Sequence, residues 1–148
     1  MMRSTYRRSA SVQEQQTTYQ RPKLQPKISS ASDVYNHLLE YSALEREHFV
    51  AITLDGASRV INTRVISIGT INQSLVHPRE VFRPAIQDNA VGLIVAHNHP
   101  SGQLVPSIED KRITKRLKEV GVLIGIELLD HVILSCEGYF SLREEGLL

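Results

Sequence analysis

The sequence predicts an α/β (α+β) domain, a mixed β-sheet sandwiched by helices. Three observations lead there. Residues 91–96 form a continuous apolar run, the pattern of a strand buried on both faces. Residues 47–54 and 59–68 alternate or are β-branched, and Asp55-Gly56 lies between them, the pattern of a hairpin. Segments of helical spacing are interleaved with the strand-like segments.

Taken in order, Ser32 is placed to cap a helix from Asp33 to about Tyr41, with Val34, Leu38 and Tyr41 on one side. The hairpin of residues 47–54 and 59–68 follows. Pro78 suits the first turn of a helix reaching about Asp88, although Pro84 removes an amide donor inside it. Residues 91–97 are the buried strand and residues 98–106 a loop. A long helix runs from Ile108 to about Val120, and Gly121 is set to end it. Residues 122–129 and 132–136 read as two further strands. Tyr41, Tyr139 and Phe140 are expected in the core. No internal repeat is present.

The chain has 148 residues, is 41% hydrophobic and carries a net charge of +1. The charge is uneven. Residues 1–30 hold Arg3, Arg7, Arg8, Arg21, Lys23 and Lys27 against Glu14, a net of +5, which leaves residues 31–148 at −4. An acidic folded part is not the footprint of a basic nucleic-acid-binding domain. No apolar run approaches the roughly 18 residues of a membrane span. A single cysteine, Cys136, excludes a disulfide framework and points to a reducing, cytoplasmic setting. Residues 1–30 are polar, with few large aliphatics, and read as a disordered basic arm ahead of a folded domain at 31–148. That arm is either a solvated tail or a contact for nucleic acid or a partner.

The chemistry concentrates at HNHPSGQLVPSIED, residues 97–110. His97 and His99 are two apart, so an extended chain projects both from one face. Pro100 keeps His99 out of helical dihedrals. Asp110, in the first turn of the next helix, can add a carboxylate, and Gly102 with two prolines stiffens the loop between. Two imidazoles and one carboxylate suit zinc with an open fourth position, the arrangement of a catalytic site. Ser107 and Asp110 also make a capping-box pattern, so Asp110 either caps the helix, ligates, or does both. A hydrolytic site further needs a proton acceptor. Glu47, before an apolar strand, is the favoured candidate and Glu80 the alternative. Arg112, Lys115, Arg116 and Lys118 form a basic run on the same helix, either a solvated face or a substrate or nucleic-acid patch.

His97-Asn98-His99-Pro100 followed by Ser107 and Asp110 resembles the JAMM (MPN+) metalloprotease signature, His-x-His-Pro then Ser-x-x-Asp. HNHPSG, the PS-x-x-D that follows, PREVF at 78–82, LLDH at 128–131 and GTINQSLVHPRE from Gly69 are similar to the RadC-type bacterial branch. The resemblance covers about residues 33–148. It implies a cytidine-deaminase-like JAB/MPN fold, with Zn²⁺ held by His97, His99 and Asp110. It implies Glu47 as general base and Ser107 beside the oxyanion. The reaction implied is hydrolysis of an amide bond in a peptide or protein, isopeptide bonds included. Asp130 and His131 match a further family feature, and form either a second layer in which the carboxylate orients the imidazole or simply a polar pair at a strand end. The family name is tied to DNA repair. Full-length RadC-type proteins carry a helix-hairpin-helix-like N-terminal region, which residues 1–30 are too short and polar to supply. Two other functions stand beside the hydrolase. One is a non-catalytic JAB module that binds protein or nucleic acid. The other is a non-haem Fe(II) oxygenase, whose two-His-one-carboxylate set ordinarily follows a different order in the chain.

Overall fold

Phe49 and Ala51 point into one hydrophobic core, while their neighbours Val50, Ile52 and Leu54 point into another. The strand that carries them therefore divides the molecule. It lies in a computed structural model that describes residues 24–69 and 76–148. The elements are α1 (Ala31–His37), a 3₁₀ turn (Leu39–Tyr41), β1 (His48–Leu54), β2 (Val60–Ile68), α2 (Pro78–Gln87), β3 (Gly92–Asn98), α3 (Ile108–Ile124), β4 (Glu127–Ser135) and β5 (Gly138–Ser141). The strands form one sheet in the order β2-β1-β3-β4-β5. Only β3 and β4 run parallel, joined by α3, and every other pair is antiparallel. The core on one face packs against α2 and α3, and the core on the other against α1. The expected mixed sheet between helices is thus present. β3 is buried at all seven positions, as its apolar run requires.

Several elements differ from the sequence reading. Ser30, not Ser32, caps α1, in a capping box with Asp33. The helix turns 3₁₀ before Tyr41. β1 is buried at six of its seven positions rather than at alternate ones, because both faces of the sheet are covered. Glu47 lies just before it. α2 runs through Pro84; Glu80, whose carbonyl loses a partner there, is exposed to water. Gly121 does not end α3. The helix continues one turn to Gly125, which takes the left-handed conformation at φ 83°. Val122, Leu123 and Ile124 are therefore exposed in a last helical turn, not in a strand. The two strands expected over 122–129 and 132–136 are the single strand β4, with Cys136 exposed in the turn after it. β5 was not foreseen. Tyr41, Tyr139 and Phe140 are half-buried rather than fully inside.

Of the segment read as an arm, residues 1–23 lie outside the described residues, as do 70–75 of the GTINQSLVHPRE stretch. Lys27 bridges to Arg59, and Ile28 is buried in the α1-side core.

Gly121 has a packing role. A Cβ placed there would stand 2.5 Å from the backbone oxygen of Ile126. Asp88, at the end of α2, ties that helix to the hairpin. Its carboxylate accepts from Arg64 through both terminal nitrogens, from Thr53 Oγ1 (2.7 Å) and from Asn62 Nδ2 (3.0 Å). The Arg64 hydrogen bonds lower the Asp88 pKa to about 2, against an opposing effect of burial.

Two stability outcomes follow. Gly121→Ala loses about 1–3 kcal/mol in urea unfolding, because α3 must move off the chain entering β4. Asp88→Asn loses about 1–2 kcal/mol at pH 7, since Arg64 is partly exposed and its pairing is screened. A carboxylate whose pKa is lowered on folding stabilises above its ordinary value of about 4, and that stability fades as pH falls towards about 2. The gap between wild type and Asp88→Asn therefore narrows over that window.

Candidate metal centre

Strand parity sets the direction of His97. Leu93 and Val95 of β3 belong to the α2/α3-side core, so His97 faces the same way. It is completely buried, with the Phe49 ring stacked on it at 6.1 Å between centroids. Phe49 is its antiparallel partner in β1. That pair is the last of the β1–β3 ladder, and Glu47 lies just before β1 as His99 lies just after β3.

Asn98 points to the other face and anchors the segment that carries Glu47. Its Oδ1 accepts from His48 N at 2.7 Å, and its Nδ2 donates to the carbonyls of Leu44 (3.1 Å) and Arg46 (3.0 Å). Sequence reasoning missed this residue. Its position between the two histidines is the signal, because a strand must turn the middle residue away from the face they share.

His99 is held from outside the cluster. Gln103 O accepts from His99 Nδ1 at 2.6 Å, so the ring proton is on Nδ1 and Nε2 turns inward. Gly102, at φ 81°, makes the tight turn that brings Gln103 back. Asp110 is the third residue of α3 and shares a capping box with Ser107. Asp110 N donates to Ser107 Oγ (3.0 Å), and Ser107 N donates to Asp110 Oδ2 (2.7 Å). Capping and convergence hold together: the same carboxylate lies 3.3 Å from His97 Nε2 and 3.5 Å from His99 Nε2.

The donor set fits a metal ion. One ligand atom from each of His97, His99 and Asp110 lies within 4.8 Å of the other two. The two Nε2 atoms are 2.8 Å apart. Tetrahedral zinc with bonds of ~2.0–2.1 Å holds its ligands roughly 3.3 Å apart, close to these separations. Electrostatics agree. Burial alone would raise the Asp110 pKa, but hydrogen bonds from His97 and His99 and from the Ser107 backbone outweigh it and hold the group ionised. The Asp110 hydrogen bond raises the His99 pKa, helped by Gln103 and by the negative charge of Glu47, against burial. Glu80 is exposed on α2 and pairs with Arg79 at 3.4 Å.

Asp130 and His131 do not pair as expected. Asp130 takes hydrogen bonds from the His131 backbone N (2.7 Å), Ser141 Oγ (2.7 Å) and Arg143 N (3.2 Å), none of them from the imidazole. It borders a cavity on the α1 side with Ile28 and Ile94, and burial raises its pKa. The His131 ring lies on the opposite face. Its Nε2 is 2.8 Å from His97 Nδ1, and its Nδ1 is 2.5 Å from Thr114 Oγ1. Complete burial pushes its pKa well down. Thr114 was not singled out from sequence, though it lies one helical turn after Asp110 and so on the same face. The basic run Arg112, Lys115, Arg116 and Lys118 is exposed along α3, with Arg112 on Glu109 at 3.1 Å.

The family model of the RadC-like JAB domain matches residues 28–147. The chain belongs to the RadC-like JAB family. Its RadC-like domain is 53% identical over 124 residues to a UPF0758 protein of Rubrobacter xylanophilus, covering 83% of this chain and 54% of that protein. A UPF0758 protein of Thermotoga maritima is 52% identical over 120 residues, covering 81% and 54%. One from Methanococcoides burtonii is 47% identical over 121 residues, covering 81% and 53%. The chain thus spans about half the length of the curated relatives it matches. Among the described residues of the RadC-like domain, no helix is long and apolar enough to cross a membrane.

The double duty of Asp110 is separable by mutation. Asp110→Asn keeps an oxygen for Ser107 N and holds stability near wild type, while Zn²⁺ affinity falls. Asp110→Ala loses the affinity and a further 0.5–2 kcal/mol, approximately, of helix-start stability. Calorimetric Zn²⁺ titration and urea unfolding of both variants check this.

Proposed function

We propose that the RadC-like domain is a zinc-dependent hydrolase of amide bonds in peptides or proteins, isopeptide bonds included. The single observation that carries this reading is the meeting of three ligand-competent atoms from His97, His99 and Asp110. When bound there, Zn²⁺ lowers the pKa of water towards ~7 and polarises a carbonyl.

The remaining work falls to this chain's side chains. The Glu47 carboxylate accepts the proton of the attacking water and returns it to the leaving amine. Ser107 Oγ accepts from Asp110 N and keeps its hydroxyl proton, which it donates to the developing oxyanion. The 0% exposure of His97 and the Phe49 ring beside it exclude water from the inner side of the centre. Val105 and Ile108, 75% and 68% exposed on either side of Ser107, offer apolar contact to substrate side chains. The acidic balance of residues 31–148 favours a protein or peptide substrate over nucleic acid, whatever link to DNA repair the family name carries. The single cysteine favours a cytoplasmic setting.

The test uses a panel of fluorogenic peptides and lysine ε-amide conjugates. Glu47→Gln retains Zn²⁺ and loses about 10²–10⁴ in kcat. Ser107→Ala loses roughly 10²–10³. Cleavage by Glu47→Gln at the wild-type rate removes Glu47 from the reaction. A wild-type, zinc-loaded chain that cleaves nothing in the panel favours the non-catalytic binding module.

A further inference from the structure

A buried imidazole has two nitrogens to satisfy, and which of them carries the proton decides whether the other can hold a metal. For His97 the answer is written in a chain of contacts that ends on a backbone carbonyl. We infer that Thr114 and His131 are positioning residues: they form a hydrogen-bonded relay of fixed polarity that keeps a proton on His97 Nδ1 and so leaves Nε2, which faces His99 and Asp110, as the nitrogen for a metal.

The polarity starts at Asp110. A carbonyl oxygen only accepts, so the 2.6 Å contact between Thr114 Oγ1 and Asp110 O uses the one hydroxyl proton of Thr114. The hydroxyl then has only lone pairs to offer. His131 Nδ1, 2.5 Å away, must therefore carry a hydrogen and donate it. His131 is wholly buried with Phe49 against its ring, a setting for a neutral imidazole with a single proton. With that proton on Nδ1, Nε2 accepts, and His97 Nδ1 at 2.8 Å is the donor. His97 Nδ1 is thereby closed to a metal, and Nε2, 2.8 Å from His99 Nε2 and 3.3 Å from Asp110, is the nitrogen left for one. His99 reaches the same state from the other side, through Gln103 O.

The reverse polarity fails at its first link. If Thr114 donated to His131, its oxygen would stand 2.6 Å from the Asp110 oxygen with no hydrogen between them. The reversed relay would also end with a proton on His97 Nε2, where a ligand bond has to form. Asp110 thus serves the centre twice, its carboxylate converging on both imidazoles and its carbonyl setting the relay that orders one of them.

The purpose of the relay rests on the metal-binding reading, but its existence is measurable without metal. Two-bond ¹H–¹⁵N spectra of the metal-free full chain separate protonated from bare ring nitrogens. Expected are Nδ1–H on both His97 and His131. Thr114→Val replaces the hydroxyl by a methyl of similar size. It shifts His97 away from Nδ1–H and weakens Zn²⁺ binding, read by chelator competition, by about 10–100-fold. Thr114→Ser keeps the hydroxyl and restores both readouts. A bare Nδ1 on His97 in the wild-type chain overturns the inference, and that spectrum decides even if Thr114→Val does not fold. So does a folded Thr114→Val with unchanged nitrogen shifts and affinity, or a Thr114→Ser that fails to rescue. A wild-type chain without Zn²⁺ affinity overturns the metal reading instead, and the nitrogen shifts still report the relay separately.

Discussion

The complete burial of His97 at the end of a strand covered on both faces is the constraint on which the site depends. An imidazole inside an apolar core is tolerated only with partners for both nitrogens. Those partners must come from elements that the fold brings to one point. Parallel pairing with β4 supplies His131 on the same face. The crossover helix α3 supplies Thr114 and Asp110. The two-residue stagger along β3 supplies His99. Each is positioned by the same packing that closes the core between the sheet and helices α2 and α3, so assembling the core also assembles the centre.

That coupling explains why several residues act in two capacities. Asp110 caps α3 and faces the imidazoles because the helix begins where the loop from His99 returns. Asn98, between the two histidines, satisfies the polar backbone of residues 44–48, and that segment carries Glu47. Backbone groups near a buried site need hydrogen bonds in any case. Using them to aim side chains costs little further conformational entropy.

The division of the sheet into two cores separates the roles of the two faces. His97 and His131 share the face beneath α2 and α3. Asn98 and Asp130 lie on the other, beneath α1. Asp130 and His131 are adjacent in sequence yet serve different faces, and strand alternation is the reason.

Much of this was legible in the residues. The apolar run before His97, the two-residue spacing of the histidines, and Ser107 with Asp110 at a helix start are local patterns. Local sterics and hydrogen bonding determine them, and they named the three residues that converge. The hairpin and the helix order followed from turn chemistry and periodicity in the same way. The true end of α3, the fusion of two expected strands into β4, and the existence of β5 were not legible. Val122, Leu123 and Ile124 have strand-like composition, yet the turn stays helical and is closed by Gly125 N and Ile126 N donating to Gly121 O. The partners of His97 were likewise decided by strand register. Register joins residues dozens of positions apart, through pairing energies that no short stretch of chain contains.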